Sequence, residues 1–235
     1  MHAKDYYKLK DSASQYEKKY LNGKNRIEDC FEDYLLSWFF KRFEKDNCDL
    51  LEIGFFTGRM ARKIRSASGL AQFSHSDIHH EPLNYSELNG DYYQITLGEE
   101  HNCDKHFDRV ISIGHQLSFS GNIRTSMQTI HALASDGAVL LIDVWNSLYE
   151  ELPNYKIDTI RSDHFRKLAS ETGFDVLEVI AGPSLYQIFS PYYQHFLNQA
   201  IKSELFLRLF CRLEFILGFF PKAKSQTIYF VLRRK

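Results

Sequence analysis

The chain has 235 residues, 44% of them apolar and 25% charged, which is the composition of a globular protein with one domain of ordinary to large size. Lys and Arg (29) nearly balance Asp and Glu (30), so a formal charge of −1 excludes any general attraction to nucleic acid or an anionic membrane. Aromatic residues make up 15%, with 19 Phe and 14 Tyr, enough for a large aromatic core or an apolar substrate cavity.

Residues 12–21 and 25–46 read as helices, the second with Ile27, Phe31, Leu35, Phe39 and Phe43 every fourth position. Residues 48–53 read as the first strand. The stretch Leu50-Leu51-Glu52-Ile53-Gly54-Phe55-Phe56-Thr57-Gly58-Arg59 then carries an acid, a glycine turn and the start of a helix over 57–67. Glycine lets the backbone of such a turn approach a ligand, and the helix start turns unpaired N–H groups toward it. Residues 71–77 form a second strand, 81–88 a helix, 92–97 a third strand and 109–113 a fourth. A helix follows over 123–134, broken by Asp136-Gly137 before the strongly apolar strand 138–144. A helix over 163–171 is closed by Gly173, and a sixth strand covers 174–180. Residues 191–220 read as helical up to Pro221, and 225–232 as a last strand. Alternating strand and helix implies a parallel sheet with helices on both faces.

A dinucleotide-binding G-x-G-x-x-G loop requires glycine in place of Phe56 and Arg59 as well. An acid two residues before the first glycine, with Gly54 and Gly58 flanking Phe56, resembles instead the E/D-x-G-x-G-x-G loop of class I S-adenosylmethionine (SAM) methyltransferases. Phe56 stands where that family has its middle glycine. Phe107-Asp108, Ser135-Asp136-Gly137 and Gly173-Phe174 precede the fourth, fifth and sixth strands in that family's order. The resemblance spans roughly residues 30–183 and 225–235. It implies an α/β fold: a doubly wound, mostly parallel seven-stranded Rossmann-like sheet with its last strand antiparallel between the fifth and sixth. The chain then divides into N-terminal helices (1–47), a nucleotide-binding core (48–183), a helical insertion (184–224) and a final strand (225–235), all one domain.

The resemblance implies SAM as cofactor and assigns its contacts. Glu52 would orient the turn from behind, with water or the ligand's amino group as partner, and Gly54 would touch the methionine portion. Thr57 and Gly58 would open the helix beneath the ligand. Asp77, 19 residues past Gly58 in Ser76-Asp77-Ile78, would accept both ribose hydroxyls, because an ionised carboxylate offers two acceptor oxygens. Ile78 and Gly114 complete the expected cofactor set, and Glu99 would reach the adenine amino group. The phenyl ring of Phe56 must turn into the packing beneath the loop, or else fill the ligand's place; the first is expected.

The sulfonium of SAM is an excellent leaving group, so a general base is needed only where the acceptor carries a proton. His115, just past the fourth strand in Gly114-His115-Gln116-Leu117, is the candidate base, and Asp143 a candidate acceptor contact. His75, His79 and His80 read as exposed loop residues rather than a metal site. No Asn/Asp-Pro-Pro-aromatic motif follows the fourth strand and no basic patch is present, which argues against nucleic acid as acceptor. Tyr6, Tyr7, Tyr16 and Tyr20, with Tyr186, Tyr192, Tyr193, Phe196, Phe206 and Phe210, suggest an aromatic lid over a partly apolar or ring-containing acceptor; packing on the sheet or a homodimer face is the alternative.

Four cysteines without C-x-x-C spacing, and a start without an apolar h-region, favour a cytoplasmic protein with neither disulfides nor zinc. The apolar stretch 205–220 is interrupted by Arg208, Arg212 and Glu214 and is too short to span a bilayer. The expected activity is methyl transfer to oxygen or nitrogen of a small molecule. The alternatives are a non-catalytic protein whose site Phe56 closes, or a SAM-binding enzyme of another reaction type.

Overall fold

The computed structural model describes residues 17–21, 23–81, 85–148, 158–220 and 225–235. Helix α1 (Gly23–Arg42) buries Ile27, Phe31, Leu35 and Phe39, the stripe its fourfold spacing predicts. Strand β1 (Leu50–Ile53) leads through the glycine turn into α2 (Arg59–Ser68), followed by β2 (Ser74–Asp77) and β3 (Tyr92–Gln94). Next come β4 (Phe107–Ser112), the single turn α3 (Gln116–Phe119), α4 (Ile123–Leu133) and the long β5 (Ala134–Asn146). The chain continues through β6 (Thr159–Ile160), α5 (Ser162–Glu171), β7 (Phe174–Ala181), α6 (Leu185–Ala200), α7 (Glu204–Gly218) and β8 (Thr227–Arg234).

The strands form one sheet in the order β3-β2-β1-β4-β5-β8-β7, parallel except for β8, which runs antiparallel between β5 and β7. This is the expected arrangement with one addition, the two-residue β6 paired to the end of β5. All four residues of β1 are buried, as suits a central parallel strand covered on both faces. Period-two alternation sends Leu51 and Ile53 toward α4 and α5, with Met127, Ile130 and Phe165. Leu50 goes to the other face, where Phe31, Leu35, Phe39 and Ile64 of α1 and α2 pack. Strand order reverses between β1 and β4, and a crevice opens there at the carboxyl ends of the strands.

Three elements differ from expectation. The helix expected over 81–88 is a single 3-10 turn, Tyr85–Glu87, in a segment that Pro82 and Gly90 bound closely. Asp136-Gly137 does not break the preceding helix, which ends at Leu133. It lies inside β5, because Ala134 already pairs with Phe107; the ladder is irregular there and Gly137 takes φ 74°. The helix expected over 191–220 is two helices joined at 201–203. The first is kinked at Tyr193 (φ −131°, ψ 22°), two residues past Pro191, whose missing N–H interrupts the ladder. Ser203 caps α7, accepting from the Phe206 N–H. The buried Glu214 carboxylate of α7 accepts the N–H groups of Ser184 (3.1 Å) and Leu185 (2.6 Å), so α6 and α7 close as an antiparallel hairpin against α1.

Candidate active site

The turn after β1 is built on backbone hydrogen bonds. Gly54 and Phe55 both donate to the Ser76 carbonyl (2.8 and 3.0 Å), which clamps the turn to the end of β2. Gly54 takes φ +91° and Gly58 φ +76°, both left-handed, as the motif needs. Phe56 also takes a left-handed φ of 42° where the family has glycine. Its N–H donates to Asp77 Oδ2 at 2.8 Å, which ties the altered loop to β2.

Asp77 is buried and also accepts the His79 N–H at Oδ1 (3.3 Å). Burial raises its pKa, against those backbone bonds and the His79 ring. Asp77 lines both lobes of the crevice.

The crevice has two lobes, of about 60 Å³ and about 50 Å³. The first is lined by Phe56, Thr57, Arg59, Met60 and Gly114, and the second by Ile95, Leu97, Phe119 and Ser120; Gly54, Asp77, Ile78 and Gln116 line both. A Cβ built at Gly54 would lie 2.5 Å from Gln116 Nε2, so the Gln116 side chain rests directly on the glycine. Gln116 is thus a movable side chain in the wall that the two lobes share. Phe55, not Phe56, is the ring packed in the core, edge-on to His75 with ring centroids 4.8 Å apart. Phe56 is buried but belongs to neither large apolar cluster of the sheet faces, and it lines the first lobe. Phe56 is thus a buried residue in the wall of the crevice, with Phe55 packed against His75 behind it.

Beyond β4, Gly114 (φ 102°) and His115 (φ 64°) turn two successive N–H groups onto Asp143 of β5. Gly114 donates to Oδ2 (3.2 Å) and His115 to Oδ1 (2.9 Å). Asp143 thus holds the turn rather than facing an acceptor. His115 Nδ1 lies 3.1 Å from Asp143 Oδ2, and its ring packs against Trp145 at 4.8 Å. Burial works against the imidazolium, but the Asp143 carboxylate outweighs it, helped by Glu28 and Glu32, and His115 is held above the usual histidine range. The His115 ring does not line either lobe, and among the described residues the Trp145 indole N–H has no hydrogen-bond partner.

The remaining expected residues divide. Thr57 lines the first lobe. Gly58 instead packs under the 3-10 turn, where an added Cβ would overlap Glu87. Glu52 is fully buried and its Oε2 lies 2.7 Å from His75 Nδ1, whose other ring nitrogen meets Asn89 Oδ1 at 2.5 Å. Its Oε1 has no hydrogen-bond partner among the described residues, and burial pushes the Glu52 pKa up against the His75 contact. His75 is likewise a core residue, not an exposed loop histidine, while His80 is exposed. Glu99 is exposed and lines neither lobe. Tyr6, Tyr7 and Tyr16 lie outside the described residues, as do the side chains of Tyr186 and Phe196. Tyr192 and Tyr193 are exposed to solvent.

Sequence reasoning missed Gln116, because its stretch was read for Gly114, for His115 as a base and for the absence of a base-modifying motif. It also missed Arg59, buried in a two-pronged bond to Glu32 (2.6 and 3.3 Å) and a bond to Asp29 (2.6 Å), with the Tyr20 ring 3.9 Å away. These bonds fasten α1 to the start of α2 at the crevice mouth. Burial raises the Glu32 pKa, and Arg59 opposes it. No local signal links residues so far apart in sequence.

Neither a protein-family model nor a curated protein sequence matches this chain. Solved structures do. The chain is similar to the plantazolicin methyltransferase BpumL, crystallised with a pentazolic desmethylPZN analog and SAH, at TM-score 0.58 and 15% identity over 94% of this chain and 89% of that one. It is similar to Burkholderia thailandensis 1,6-didemethyltoxoflavin-N1-methyltransferase, with bound 1,6-didemethyltoxoflavin and S-adenosylhomocysteine, at TM-score 0.56 and 14% identity over 95% and 87%. The 4+2 cyclase SpnF matches at TM-score 0.55 and 13% identity over 86% and 80%. At such identities the likeness establishes the fold, that of class I methyltransferases.

Proposed function

We propose that the protein is a SAM-dependent methyltransferase acting on oxygen or nitrogen of a small, partly apolar or ring-containing molecule. The observation that carries this reading is the convergence on one crevice of the Gly54 turn, the Asp77 carboxylate and the Gly114 backbone, at the reversal of strand order. The donor set fits an adenosyl ligand. The Asp77 carboxylate suits ribose hydroxyls, Ile78, Ile95 and Leu97 offer apolar lining for a flat ring, and the Gly54 backbone lies beneath the Gln116 side chain, with Gly114 and Met60 in the first lobe. The two lobes are small against the ~300 Å³ or more that such a ligand needs. Gln116 and Phe56 must therefore shift to join and widen them. When bound, the cofactor supplies a methyl group on a positively charged sulfur. This chain's residues hold and orient it and exclude water.

The divided crevice favours a second reading, a methyltransferase-fold protein that binds no cofactor. Calorimetric titration with S-adenosylhomocysteine decides. Binding in the micromolar range, about −7 to −8 kcal/mol, is expected. No heat and no thermal shift at millimolar ligand would overturn the enzyme reading in favour of the second.

A further inference from the structure

We propose that the outward face of the α6–α7 hairpin is a peripheral docking surface for an anionic lipid bilayer, with α7 lying in the plane of the headgroups. This inference stands apart from the methyltransferase reading. On α7 and its C-terminal cap region, Leu205, Leu209, Leu213, Ile216 and Phe220 are 48–71% exposed. Steps of four, four, three and four residues at about 100° each keep all five within one narrow arc of the helix. The opposite arc, with Leu207, Cys211, Glu214 and Gly218, is buried. On the adjoining α6, Tyr192 and Tyr193 are 81% and 60% exposed. Among the described residues, the exposed large apolar side chains outside this hairpin are only Leu21 and Leu148. A concentration of this kind on one helix pair marks an interaction site.

The charges choose the occupant. Arg208 and Arg212 lie one turn apart on the same edge of the apolar arc, both exposed, and Lys202 is exposed where the two helices join. Glu204 is the acid of that edge, and it is already engaged by Arg208 (2.8 Å) and Arg26 (3.3 Å). Arg212 has no ion pair among the described residues. A second copy packing antiparallel along this stripe about a twofold axis would set the arginine edge against itself. A sheet of lipid phosphates answers that edge directly, and exposed tyrosines beside it suit the boundary between headgroup and acyl chain. No helix among the described residues is long and apolar enough to cross a membrane, so the contact is in-plane.

The test is co-sedimentation of the full chain with vesicles of phosphatidylcholine containing about one-third phosphatidylglycerol, against vesicles of phosphatidylcholine alone, at low and high salt. The anionic vesicles should capture the protein preferentially, and salt should release part of it. Leu209→Gln with Leu213→Gln should cut the partition coefficient at least roughly tenfold, the scale for losing two half-buried leucines. Arg212→Gln should cut it about fivefold on anionic vesicles alone. Both positions face solvent, so unchanged thermal midpoints will verify that the variants fold. Failure to bind anionic vesicles overturns the proposal, as does binding that the leucine changes leave intact. A concentration-dependent dimer in light scattering that those same changes dissociate would assign the face to a second copy instead.

Discussion

Replacing Phe56 by glycine tests how the altered loop works. The ring is buried, so its removal forfeits roughly 2–3 kcal/mol of apolar burial. Against this, glycine removes the cost of holding a side chain at φ 42°, about 1–2 kcal/mol. The loop's hydrogen bond to Asp77 comes from the backbone and survives the change. Net destabilisation should therefore be only ~1 kcal/mol, a fall of about 2–4 °C in melting temperature for a chain of this size. Phe56 lines the first lobe, and where its ring must move for a ligand to enter, part of the binding energy goes into moving it. If that displacement costs ~1–2 kcal/mol, S-adenosylhomocysteine should bind the variant about 5–30-fold tighter. Denaturation and calorimetry on this one variant check both figures. A loss of about 3–5 kcal/mol with unchanged affinity would refute the reasoning, because that is the signature of a ring packed in the core.

Asp77→Ala should weaken S-adenosylhomocysteine binding by roughly 1.5–3 kcal/mol, measured by calorimetry, and also lower stability by about 1 kcal/mol in denaturant melts, since the Phe56 N–H loses its acceptor. Gln116→Ala removes a side chain from the wall shared by the two lobes and should raise affinity several-fold, whereas Gln116→Leu, which keeps the bulk, should not; equal affinity in all three proteins would show that this side chain costs the ligand nothing. Asp143→Asn removes the charge that raises the His115 pKa, so its NMR titration should move to lower pH. Because the folded pKa is raised, the pair's stabilisation is fully present below the unfolded value of about 6.5 and is lost as pH rises through the folded one. The melting-temperature advantage of the parent over Asp143→Asn should shrink on that rise.

The backbone was far more legible than the side chains. Periodicity marked α1 through Ile27, Phe31, Leu35 and Phe39, and the glycine turn fixed where β1 gives way to α2, because both signals are local. β8 at the end of the chain was readable as a strand, and its antiparallel place between β5 and β7 followed from the resemblance. Errors arose where a local signal met a tertiary one: Asp136-Gly137 looks like a helix break until Ala134 is found paired to Phe107. In the site, Asp77 and Gly54 line the crevice because strand geometry alone takes them there. Glu52 does not, since its carboxylate is claimed by His75 on the neighbouring strand, a pairing set by the register Glu52↔His75.

The same register explains how the loop tolerates phenylalanine. A glycine at position 56 would hold a left-handed turn without help, but a phenylalanine there must be held by partners. Ser76 receives two N–H groups and Asp77 a third, so three successive amides, those of Gly54, Phe55 and Phe56, are fastened to the last two residues of β2. Phe55 fills the core beside His75, and Phe56, also buried, lines the crevice. The residue that departs from the family pattern therefore lies at the ligand's expected path, with Gln116 resting on Gly54 beside it. Neither side chain alters the backbone frame of Gly54, Asp77 and Gly114. Closure that rests on two side chains over an intact frame is reversible by rotation about single bonds, on the ps–ns scale for exposed groups and more slowly for packed ones. A cofactor that binds such a site should do so with an association rate below that of an open crevice and should speed up in Gln116→Ala; stopped-flow association at equal rates in both proteins would show that the crevice opens by moving backbone instead.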